Sequence, residues 1–113
     1  MINGVHAIVF TKDAEGLRAF FRDVLGFPAI DAGGGWLIFG LPPAELAAHP
    51  AEEGGRHQLY LMCDDIEATA LELKGKGVEL TRPISDERFG RMTAIALPDG
   101  EELSLYEPRH PTP

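Results

Sequence analysis

The chain has 113 residues, 44% hydrophobic and 25% charged, which suits one compact domain able to bury a core without staples. Its 18 acids against 10 Lys and Arg leave a net charge of −8, which argues against nucleic acid or an anionic membrane as a partner, since both require basic patches. The single cysteine, Cys63, excludes an internal disulfide. No apolar run approaches the ~20 residues of a membrane span, and the N-terminus lacks signal-peptide features, so a cytoplasmic protein is expected.

VHAIVFT (5–11) reads as a strand. Asp13 stands where a helix N-cap belongs, and Leu17, Phe20, Phe21 and Val24 follow at the spacing of an amphipathic helix, which Gly26 ends. FPAI (27–30) and WLIFG (36–40) read as a hairpin around the glycines 33–35. Leu41-Pro42-Pro43 breaks the pattern, and AELAAHP (44–50) reads as a further strand closed by Pro50. A polar linker, AEEGGR (51–56), follows. HQLYLMC (57–63) reads as a strand in which Cys63 is a buried, inert thiol. Asp64 and Asp65 then precede a helix with Ile66, Ala70 and Leu73 on one face, ended by Gly77. VELTRPI (78–84) is expected to be a strand, SDERFG (85–90) a loop and RMTAIALP (91–98) a strand. Asp99-Gly100 signals a hairpin turn into the last strand, ELSLYEP (102–108). The tail RHPTP is expected to be loose.

The order strand–helix–strand–strand–strand thus occurs twice, over about 1–50 and 57–108. Asp13 to Gly26 and Asp64 to Gly77 have the same length, and His49-Pro50 closes one half as Glu107-Pro108 closes the other. Halves this short cannot each hold a core, so they must pack together as one domain.

FFRDVLGF (20–27), CDDIEATALELKGKGVEL (63–80) and LPDGEELSLYEP (97–108) resemble the first-helix signature, the second helix and the final hairpin of the vicinal oxygen chelate superfamily, which includes glyoxalase I, bleomycin-resistance proteins and extradiol dioxygenases. The first signature usually has Tyr where this chain has Phe21. The resemblance covers nearly the whole chain and implies an α+β fold in which two βαβββ modules form a half-open barrel around a cleft. Metal-dependent members hold Fe, Mn, Ni or Zn in that cleft with His and carboxylate ligands, and the metal polarises neighbouring substrate oxygens.

By family spacing the first ligand position falls on His6, the second on Gln58 and the third on Ser104. Gln58 and Ser104 are poor donors for a transition metal. His57 adjoins Gln58, and a strand bulge would be needed to turn it inward. Strand alternation sends Ser104 and Tyr106 one way and Leu103, Leu105 and Glu107 the other. Glu45 and His49 share a face of their expected strand and offer a different site with His6, in which Glu45 stands for the extra glutamate of glyoxalase I. A non-standard metal set would therefore draw on His6, Glu45, His49, His57 and Glu107.

Trp36, Phe39, Gln58, Tyr60, Met62, Ser104 and Tyr106 are the candidate lining of a mostly apolar ligand cleft. Trp36 is expected to stand opposite Tyr60 or Tyr106, with Phe89 on a loop that could act as a lid. The incomplete triad favours a protein that binds or sequesters a small aromatic or amphipathic compound without a cofactor. The alternative is a metal-dependent lyase or extradiol-type dioxygenase. The resemblance also implies a C2 homodimer.

Overall fold

Asp13 starts the first helix, as its residue type and position predict. In a computed structural model of the chain, which describes residues 6–45 and 47–111, its carboxylate accepts from Gly16 N at 2.9 Å. A Cβ on Gly16 would crowd that carboxylate, and the Asp13 side chain would have to shift to admit it. Helix α1 (Ala14–Ala19) continues into a π-helical turn over Phe20–Val24, where Leu25 N donates to Phe20 O at 3.1 Å. The wider turn still keeps the expected apolar stripe inward. Leu17 and Phe20 are buried, and Phe21 and Val24 pack against them. Gly26 ends the helix at a φ of 72°, in the left-handed region that glycine adopts without a Cβ penalty.

The hairpin forms as read, from β1 (Ala29–Asp31) and β2 (Leu37–Phe39). Asp31 accepts from Gly33 N at 2.8 Å and holds its glycine turn. The second half supplies β3 (Tyr60–Met62), helix α2 (Ile66–Gly75), β4 (Ser85–Glu87), β5 (Gly90–Ala96) and β6 (Glu102–Pro108). These strands make one sheet in the order β3-β6-β5-β4. β3 runs parallel to β6, and the other neighbours are antiparallel.

One face of this sheet carries the core. Ile95, Leu103 and Leu105 meet Ile66 and Leu73 of α2 and Leu17 and Phe20 of the first helix. The result is a mixed α+β fold with two sheets and few helices.

Four strand expectations are corrected. No strand forms within the described residues 6–11, although Val9 packs against the core. None forms within the described residues of 44–50. The strand expected over 57–63 shortens to Tyr60–Met62. Of 78–84, only Leu80 bridges to the sheet, opposite Ile95. Conversely, SDE at 85–87 is a strand rather than a loop. It is polar and weak in intrinsic preference, but β5 offers it an edge to pair with, and pairing outweighs propensity. Among the described residues, 6–11 and those of 44–50 pair with no strand, and the hairpin stands as a separate two-stranded sheet.

Candidate functional site

Directly paired residues in a sheet point to the same side. The register pairs Tyr60 with Ser104, Met62 with Tyr106, Met92 with Tyr106 and Ala94 with Ser104. These six side chains therefore share the face opposite the core. The expected divergence of Ser104 and Tyr106 from Leu103, Leu105 and Glu107 agrees with this register, and Leu103 and Leu105 are buried on the core side.

The face is aromatic at one end and polar at the other. Tyr60 meets Tyr106 edge-on, with ring centroids 6.0 Å apart, and Phe89 lies 6.0 Å from Tyr106 on the other side. Tyr106 presses close to the backbone of Gly90, where an added Cβ would stand 2.7 Å from its Cε2. Tyr60 donates its hydroxyl to Gln58 Oε1 at 3.1 Å. Towards β4, a small cavity of about 120 Å³ is lined by Ser104, Met92, Ala94, Ser85 and Pro83, among others. A larger groove of about 710 Å³ runs between α2 and residues 80–84, lined by Glu67, Leu71, Lys74 and Arg82 among others. It is open to solvent, and Glu67 and Arg82 already pair with Arg91 and Glu102. The smaller cavity, on the face with Ser104 and the tyrosines, is the better candidate despite its size.

The metal candidates are scattered. His6, His49 and His57 are exposed. His57 and Gln58 precede β3, so there is no strand at that point for a bulge to interrupt. Glu107 lies on the core side, where its Oε1 accepts from Ile66 N at 2.9 Å and caps α2. Glu45 pairs with His110. Among the described residues, no three His, Cys, Asp or Glu side chains come together in a way that could hold a metal ion. Among the described residues, the donor set of one chain does not fit a catalytic metal.

Trp36 and Phe39 occupy opposite faces of the hairpin. Phe39 packs edge-on against Phe21 at 5.4 Å. Trp36 is 63% exposed, with the Arg18 guanidinium 4.6 Å over its ring. Within one chain, neither is brought to Tyr60 or Tyr106.

Two participants escaped the sequence reading. Met92 could have been found from the hairpin register at Asp99-Gly100. His110 could not, because it lies in the tail expected to be loose. The first two residues of that tail, Arg109 and His110, are held by side-chain bonds. Arg109 pairs with Asp86 and donates to the Glu87 carbonyl, and His110 Nε2 lies 2.9 and 3.0 Å from the two Glu45 oxygens.

A four-stranded sheet with helices on one face and an aromatic, partly polar surface on the other defines a mixed α+β protein with an open sheet face. The chain belongs to the glyoxalase/bleomycin resistance protein/dioxygenase superfamily, whose family model matches residues 4–105. It is similar to TnmS3, an antibiotic binding protein from Streptomyces sp. CB03234, at 25% identity and a TM-score of 0.67, covering 95% of this chain and 97% of that one. It also resembles a member of the same superfamily from Sphaerobacter thermophilus DSM 20745, at 26% identity and a TM-score of 0.61, covering 94% and 98%. A lactoylglutathione lyase from Agrobacterium tumefaciens shares the fold at 14% identity, with a TM-score of 0.67 and coverage of 93% and 92%. Comparison with curated proteins finds no match.

Proposed function

We propose that the protein binds a small aromatic or amphipathic compound on the sheet face of Tyr60, Met62, Met92, Ser104 and Tyr106, without a metal cofactor. The observation that carries this reading is the Tyr60–Tyr106 edge-on pair flanked by methionines. Apolar rings with two hydroxyls and adaptable thioethers suit a ligand that is mostly ring and partly polar. The similarity to an antibiotic binding protein supports the same class of ligand. The family's metal positions support it too, since Gln58 and Ser104 are weak donors.

The cleft is completed across a C2 homodimer, in which the hairpin of one copy, carrying Trp36 and Phe39, closes over the sheet face of the other. Support comes from the hairpin, where Ile30, Trp36 and Ile38 are exposed in one chain.

Calorimetric titration with planar aromatic antibiotics and smaller aromatic acids tests the reading. Saturable binding is expected, weakened at least about tenfold by Tyr60→Ala, which removes an aromatic wall, and abolished by Ser104→Phe, which fills the face. If no compound binds, or if both variants bind like the parent, the reading falls. Elemental analysis of the same preparation is expected to show no stoichiometric Fe, Mn, Ni or Zn. Near one metal per chain, lost on His6→Ala, would overturn the metal-free reading and support the lyase or dioxygenase alternative.

A further inference from the structure

Glu45, His110 and Tyr106 come from the end of the first half, the tail and the last strand, yet they meet at the aromatic end of the sheet face. An ionised carboxylate only accepts hydrogen bonds. With both Glu45 oxygens about His110 Nε2 at 2.9 and 3.0 Å, the ring proton of neutral His110 sits on Nε2. Nδ1 is then an acceptor.

The Tyr106 hydroxyl lies 3.5 Å from Nδ1. That hydroxyl donates its single proton to the nearer Phe89 carbonyl at 3.3 Å, which also accepts from Arg109 N at 3.2 Å. A hydrogen bond at 3.5 Å is weak at best. Nδ1 therefore keeps a usable lone pair beside the rings of Tyr106, Tyr60 and Phe89. Tyr60 and Phe89 are both exposed and leave ring surface uncovered.

We propose that His110, oriented by Glu45, is the polar anchor of the binding face and selects ligands that carry a hydroxyl on an aromatic ring. The ring packs against Tyr60 and Phe89, and the hydroxyl donates to His110 Nδ1. Glu45 is a positioning residue, which holds the tautomer that leaves Nδ1 free. This inference rests on the proposed ligand-binding role of the face, and adds to it the chemical group that is recognised.

The probes are naphthol and its methyl ether, which share a ring system and differ in the donor hydrogen. The parent protein is expected to bind naphthol about tenfold more tightly, the effect of one hydrogen bond to an otherwise unpaired acceptor. His110→Ala should bring the two affinities within twofold of each other, with naphthol losing more affinity than the ether. Glu45→Gln should reduce the preference, because an amide can also donate to Nε2 and so favour the other tautomer. Tyr106→Phe should retain it, since that hydroxyl is committed to Phe89. Circular dichroism of each variant establishes that the fold is kept.

Equal binding of both probes by the parent protein overturns the anchor and leaves the ligand-binding reading standing. Binding of neither probe overturns the anchor together with its ring platform. A His110→Ala variant that loses both probes equally shows the tail to be only a structural strap, and also overturns the proposal.

Discussion

Cys63 and Glu107 show how neighbouring positions take their chemistry from where the backbone puts them. The Cys63 Sγ lies 3.8 Å from the Tyr106 carbonyl at the end of β3 and is half-buried. Burial pushes the thiol up from its ordinary value. The carboxylates of Glu107, Asp64 and Asp65 push the same way, and a hydrogen bond with Thr69 opposes them. The thiolate is the reactive form, so a raised pKa with partial burial makes a slow nucleophile. Native protein at neutral pH is expected to react with a disulfide reagent at least about tenfold more slowly than protein unfolded in guanidinium. Equal rates would show Cys63 to be accessible and ionised.

At the scale of elements, both helices were legible in the sequence because their signals are local. Asp13 and Asp65 cap as their positions predict, accepting from Gly16 N and Ala68 N. What could not be read was the second carboxylate at the start of α2. Glu107 arrives there from β6, 41 residues away in sequence, and satisfies Ile66 N. That bond is charge-assisted and part-buried, and the N-terminus of a helix favours negative charge. Glu107→Ala should destabilise the fold by about 1–2 kcal/mol, seen as a fall of several degrees in the thermal midpoint with little change in ligand affinity. A loss of ligand binding at unchanged stability would place Glu107 in the site instead. β4 was missed for the opposite reason: its strand character comes from the edge it pairs with rather than from its own residues.

At the scale of the molecule, one chain leaves a great deal of apolar surface in water. Ile8 is 66% exposed and Phe10 88%, and Ile30 and Trp36 lie open on the hairpin. Soluble monomers rarely expose apolar surface in such concentration without a partner. The radius of gyration of 15.0 Å also exceeds the roughly 13 Å usual for a compact chain of this length. Both features fit a second copy covering the first module. Light scattering at micromolar concentration is expected to give twice the chain mass, and Phe10→Asp to shift it towards the monomer. Trp36 emission should be blue-shifted in the dimer and move to longer wavelength in that variant. A monomeric parent protein would refute the assembly.

The sequence by itself determined the helices, their caps, the hairpin turns and the last strand's division into a core face and an open face. These depend on residue types three or four apart, or on strict alternation, and need no distant partner. It also supplied the family resemblance, which the family match upholds. Only the tertiary structure decided which expected strands find an edge, that Glu107 serves a helix, and that the tail's His110 meets Glu45. Each of those depends on contacts between segments far apart in the chain. Hydrogen bonds and apolar burial between such segments are set by the packing of the whole, and no local pattern encodes them.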